Sequence, residues 1–194
     1  MNARAVLLAS GSCFVVLACL VVLFGLLPGD VTVRDTLLAL GSPAVVGAMR
    51  IVNRAGAWQL LLPATILLLL GSRRARERWW VWVGLMVVAP LAEAALKLVF
   101  ARPRPEDLSF GFPSGHATAA AAFFGAVMYL AGCLPGPTVL IVRAVALVLI
   151  VLVGLARVLL RAHWPSDVLG GVALGLALAS AAALVASPRD RAPA

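Results

Sequence analysis

Six apolar runs, at about residues 5–27, 57–70, 79–100, 116–134, 139–160 and 168–186, occupy most of this 194-residue chain. A helix rises about 1.5 Å per residue, so the first run reaches roughly 34 Å, enough to cross the hydrocarbon of a bilayer. With 63% hydrophobic residues and a mean hydropathy of +1.06, too little polar sequence remains to clothe a soluble globule. The bilayer must be the solvent, and a lipid-facing backbone has to satisfy its own hydrogen bonds. The expected fold is therefore all-α: a bundle of six transmembrane helices forming one membrane domain over residues 1–194.

The first run exceeds the core of a secretory signal and ends in "LLPGD" without a small-x-small cleavage site, so it reads as a retained span. Residues 28–56 mix Asp30, Arg34, Asp35, Arg50 and Arg54 with apolar residues. This composition predicts interfacial helix after the first span rather than a crossing. The second run is short and contains Pro63, which predicts a span beginning a few residues earlier. Cys13, Cys19 and Cys133 lie in or beside apolar runs with no metal-like spacing, and read as small buried residues.

A net charge of +8 does not point to nucleic acid, because the cations lie in short clusters between apolar runs. Such clusters set topology or touch anionic lipid. Only one of the sixteen cations is lysine, a bias that suits a GC-rich bacterial gene. Six spans put both termini on one face. That face holds Arg4, Arg73, Arg74, Arg76, Arg78, Arg143, Arg189 and Arg191 against Glu77 and Asp190, net +6; the other face nets +3. The positive-inside bias makes the termini cytoplasmic, in a bacterial cell membrane.

By the same parity, the stretches after the third and fifth spans emerge together on the opposite, extracytoplasmic face. Lys97, Arg104, His116, Arg157, His163 and Asp167 can therefore converge, and both histidines of the chain are among them. Arginine offers a planar fork to two phosphate oxygens, and lysine a point charge. "PSGH" (Pro113 to His116) places Ser114 and Gly115 at an expected helix start, where free N–H groups and the dipole favour an anion. "HWPSD" opens the last span in the same way, with Pro165 in its first turn. His163 and Asp167 are four apart, so the carboxylate can fix the imidazole tautomer and leave the other nitrogen free to attack. His116 can give a proton to a leaving group and later take one from water. Neither histidine lies in a zinc pattern such as HExxH and carboxylates are few, so no metal and no cofactor are expected.

These residues occur as "KLVFARPRP" (Lys97 to Pro105), "PSGH" and "RVLLRAHWPSD" (Arg157 to Asp167), and in this order the chain resembles the type 2 phosphatidic acid phosphatase superfamily. That superfamily also includes vanadium haloperoxidases and glucose-6-phosphatase. The resemblance implies a lipid phosphatase in which Lys97, Arg104, Ser114, Gly115 and Arg157 hold phosphate. His163 would be the nucleophile, oriented by Asp167, and His116 the acid. The third motif commonly begins Ser-Arg, and here Ala156 precedes Arg157, which removes one supporting hydroxyl.

The expected partners are the bilayer and a lipid phosphate, with polyprenyl diphosphate ahead of phosphatidic acid and phosphatidylglycerophosphate. A phosphotransferase using the same site, or a non-catalytic membrane protein with basic anchors, are the alternatives. Glu93 lies one turn before Lys97 in an apolar span and is expected to pair with it. Arg102 and Arg161 read as headgroup or topology anchors.

Overall fold

The computed structural model describes residues 1–187. Arg189, Asp190 and Arg191, counted in the charge balance, lie outside the described residues. The helices are α1 (Ala3–Phe24), α2 (Asp30–Ala39), α3 (Pro43–Asn53), α4 (Trp58–Gly71), α5 (Arg73–Glu77), α6 (Trp79–Phe100), α7 (Gly115–Leu130), α8 (Thr138–Leu159) and α9 (Pro165–Ala186). The chain is an all-α membrane bundle. Five helices, α1, α6, α7 with its terminal 3-10 turn, α8 and α9, are long and apolar enough to cross.

The remaining crossing is α4. Its 14 residues span only about 21 Å. The expected earlier start does not occur, because a 3-10 turn over Arg54–Gly56 breaks the chain before Trp58. The helix nevertheless connects the two ends of the bundle. Trp58 lines a cavity with His116 and His163, whereas Arg74 and Arg78 just beyond α4 share the opposite end with Met1 and Ser187. Six passages result, with both ends of the described chain at one end of the bundle.

Residues 28–56 form two helices, bent by 116° where Ser42 caps α3 and Pro43 opens it. They contact α8 and α9 rather than crossing as one straight span. Leu37 of α2 packs on Ala117, Val158 and Val168, beneath the site.

The centre of the bundle is α7 against α9. Without a hydrophobic force between helices in lipid, close association needs small residues that let backbones meet. Gly171 and Gly175 supply them. A Cβ at Gly171 would lie 2.5 Å from the Ser114 carbonyl oxygen, and one at Gly175 2.4 Å from that of Thr118. One turn further, Ala179 meets Gly125. The two N-termini are thus clamped side by side, and the Ser114 N–H donates to the Asp167 carbonyl at 2.9 Å.

Candidate active site

Three segments build the site. Lys97 occupies the last turn of α6, which stops at Ala101 in the left-handed region (φ +46°). The chain then folds back, with Pro103 bridged to Phe110 and the Gly111 N–H donating to the Arg102 carbonyl at 2.6 Å. Phe112 anchors this loop: it is fully buried, edge-on to Phe100 at 5.0 Å and stacked on Phe14 at 5.8 Å. Gly111 passes so close to Asp167 that a Cβ there would lie 2.7 Å from its Oδ2.

The fold brings the predicted residues together. Lys97, Arg104, Gly115, His116, Arg157 and His163 line one cavity of about 970 Å³, and Ser114 and Asp167 lie fully buried behind it. Arg104 is steadied by the Phe110 carbonyl (Nε, 3.2 Å) and lies 3.8 Å from Asp107. Asp107 is held below the usual carboxylate range by hydrogen bonds from the Ser109 hydroxyl and amide, with Arg104 adding to the effect. Lys97 pairs with Glu93, as the spacing predicts, and the Glu93 carboxylate lies against Gly115. Arg157 donates to Asn53 Oδ1 at 3.0 Å.

Two buried donors at this spot have no protein partner: the Ser114 hydroxyl, which caps nothing although it sits at the start of α7, and Arg157 Nε. A buried unpaired donor costs about 1–3 kcal/mol, so such a pair marks a place for a ligand acceptor. The same corner carries three cations and a helix N-terminus. An anion with several oxygens satisfies all of them.

His163 is buried, and its Nδ1 lies 3.4 Å from Asp167 Oδ2. Burial pushes its pKa down to about 4; Arg157 and Arg104 push the same way, and Asp167 opposes them. Near neutral pH the imidazole is therefore uncharged. With Asp167 accepting from Nδ1–H, the lone pair falls on Nε2.

Asp167 is itself held from three sides. It accepts from the Trp164 N–H at 3.0 Å and from Arg102 Nη1 at 2.6 Å, and it faces His163. Here the structure corrects the anchor reading of Arg102. That side chain is only 4% exposed; it bridges Asp167 to Asp30 (Nη2, 2.6 Å) and donates to the Ser166 hydroxyl at 2.7 Å. Asp30 also accepts from the Ser166 N–H and hydroxyl. Arg161, by contrast, is exposed and pairs with Glu106 at 3.0 Å, while Arg34 of α2 reaches the same carboxylate.

Asp30, Arg102, Asn53 and Gly56 are the site residues that sequence reasoning missed. Gly56 touches His116 directly: a Cβ there would lie 2.7 Å from the His116 carbonyl oxygen. Beyond the turn at Gly56, an apolar groove of about 310 Å³ runs down between α4 and α6. It shares Trp58, Pro90 and Ala119 with the polar cavity. The polar cavity and the apolar groove thus adjoin.

The model of the PAP2 superfamily matches residues 106–191, which contain the second and third motifs. Phosphatidylglycerophosphatase B of Bacillus subtilis (strain 168) is 31% identical over 176 residues, 85% of this chain and 87% of that protein. Decaprenylphosphoryl-5-phosphoribose phosphatase of Mycobacterium tuberculosis (strain CDC 1551 / Oshkosh) is 34% identical over 140 residues, 66% of this chain and 73% of that protein. A crystal structure described as the first transmembrane PAP2 type phosphatidylglycerolphosphate phosphatase from Bacillus subtilis superposes with a TM-score of 0.81 at 28% identity. It covers 91% of this chain and 93% of its own.

Proposed function

We propose that this chain, which belongs to the PAP2 superfamily and is a membrane lipid phosphatase, removes the terminal phosphate from a lipid whose polyol headgroup is joined to its tail through a phosphodiester. The names of both enzyme relatives spell out such a substrate, a glycerophosphate on a phosphatidyl group and a phosphoribose on a decaprenylphosphoryl group. Polyprenyl diphosphate, favoured from sequence alone, joins its two phosphates as an anhydride, and neither name supports it.

The observation that carries the reading is the anion corner, where the unpartnered Ser114 hydroxyl and Arg157 Nε stand with Lys97, Arg104 and two histidines. The terminal phosphate lies among the three cations and the N–H groups of α7. His163 Nε2 attacks phosphorus, the P–O bond to the polyol breaks, and His116 gives its proton to the departing oxygen. Water then attacks the phosphohistidine as His116 takes back a proton, and inorganic phosphate leaves. The lipid tail lies in the groove between α4 and α6. The active site is extracytoplasmic and the termini cytoplasmic, in keeping with Arg73, Arg74, Arg76, Arg78 and Arg143 around the end that holds Met1.

Phosphate release from phosphatidylglycerophosphate, phosphatidic acid and undecaprenyl diphosphate by purified protein tests the substrate class. An aryl phosphate tests the chemistry, because nitrophenolate leaves without a proton. His116→Ala should give a burst of nitrophenol and an acid-labile phosphoprotein, and His163→Ala neither. Label trapped in His163→Ala and absent from His116→Ala would exchange the two roles and sink the mechanism.

A further inference from the structure

Among the cations lining the active-site cavity, Arg54 alone has no described engagement. Lys97 pairs with Glu93, Arg104 with the Phe110 carbonyl and Asp107, and Arg157 with Asn53. The Arg54 guanidinium is exposed and makes no hydrogen bond or ion pair among the described residues, yet it lines the same cavity.

Its backbone is held firmly. The preceding residue, Asn53, accepts from Arg157; two residues later, Gly56 is pressed against His116 and Val153 with no room for a Cβ. A 3-10 turn, closed by the Ala57 N–H on the Arg54 carbonyl at 3.0 Å, joins these two contacts. Arg54 is thus fixed at the cavity by both groups that flank the reacting phosphate. Four residues on, at the start of α4, Trp58 belongs to both the polar cavity and the apolar groove. Arg54 therefore belongs to a segment that touches the corner taking the terminal phosphate and runs into the channel that takes the tail.

We infer that Arg54 binds the internal phosphodiester of the substrate and so selects lipids with two phosphates separated by a polyol over lipids with one. The inference rests on the substrate reading above. Along such a lipid the order is terminal phosphate, polyol, phosphodiester, tail. Along the protein the order is anion corner, Asn53–Gly56 turn, Trp58, groove. The cavity of about 970 Å³ has room for a headgroup well beyond one phosphate. An unpaired guanidinium is the group that a diester anion, with one charge shared by two oxygens and no proton to give, would meet best.

The test measures kcat/KM for phosphatidylglycerophosphate and phosphatidic acid with matched acyl chains in mixed micelles, in wild type, Arg54→Ala and Arg54→Lys. A lost charge-assisted hydrogen bond should lower kcat/KM for phosphatidylglycerophosphate about 10- to 100-fold, mainly through KM. The fall for phosphatidic acid should be less than about 3-fold, with Arg54→Lys intermediate on the first substrate. Arg54 is exposed, so a melting temperature matching wild type verifies that the variants are folded. Equal losses on both substrates, or none on either, would overturn the assignment and leave the phosphatase reading intact. A wild type that releases phosphate from neither lipid would overturn that reading, and this inference with it.

Discussion

Arg102→Ala should be among the most damaging single substitutions in this protein, although Arg102 lines no part of the active-site cavity. Its guanidinium sits between Asp30 and Asp167, whose side chains are 3% and 0% exposed. Removing one member of a buried ion pair costs about 3–5 kcal/mol, because the partner is left charged in a medium that cannot solvate it. Here two carboxylates are stranded. At about 2–4 °C per kcal/mol for a chain of this size, the expected fall in melting temperature is roughly 6–20 °C, readable in detergent from tryptophan fluorescence. The chemistry should change as well. Asp167 raises the pKa of His163 against burial, and Arg102 neutralises Asp167. Without that neutralisation the imidazole holds its proton more tightly, so the acid limb of kcat/KM moves to higher pH. The double variant Asp30→Asn with Arg102→Met should melt above Arg102→Met alone, since one stranded charge is gone. An Arg102→Ala protein that melts within a degree of wild type, with an unchanged acid limb, would show that the network neither holds the fold nor positions the histidine.

Under the proposed mechanism His163 must be uncharged to attack, and its pKa is pushed down to about 4 by burial. Once the substrate phosphate's own second ionisation, at about pH 6, is corrected for, activity should therefore persist past the ordinary histidine range and be lost only near pH 4; an enzyme limb remaining at about 6.5 would refute this. Gly175→Leu drives a side chain into the Thr118 carbonyl and should cost at least 1–3 kcal/mol with loss of activity. Gly84→Ala on α6, where a Cβ meets nothing, should leave stability equal or slightly higher, and a ranking of melting temperatures checks both. In a background lacking Cys13, Cys19 and Cys133, a cysteine at Ser109 should react with an impermeant maleimide in intact cells and one at Arg73 should not. Labelling of both would break the proposed orientation.

What could be read from the sequence was set by local spacing and by counting crossings. The i, i+4 pairs Glu93–Lys97 and His163–Asp167 form because one helical turn, or a turn leading into a helix, brings them together whatever the rest of the chain does. Parity of six spans then placed Arg104 and His116 on the same face as Arg157 and His163. The glycines and alanines of α7 and α9 are likewise residues that let helices meet in lipid, and the structure packs these two helices against each other.

The missed residues share a different physics. Arg102 meets Asp30 across 72 residues and Arg157 meets Asn53 across 104. Neither pair has a periodic signature, because loops and interfacial helices choose their partners by tertiary packing. A charge beside an apolar run has the same sequence signature whether it snorkels to water, as Arg161 does, or turns inward, as Arg102 does. The difference is decided by what the opposing segment offers. Asp30 begins α2 directly over the start of α9, where Ser166 donates to it through both backbone and side chain, so the inward position of Arg102 is fully paired. Facing lipid, the same guanidinium would find only headgroups at the edge. The interfacial segment after the first span therefore supports the candidate site: α2 supplies the carboxylate that holds Arg102 on Asp167, and the turn after α3 lays Asn53 and Gly56 against Arg157 and His116. Cutting α2 and α3 out while sparing all three motifs would leave Arg102 without Asp30, Arg157 without Asn53 and His116 without the turn that backs it.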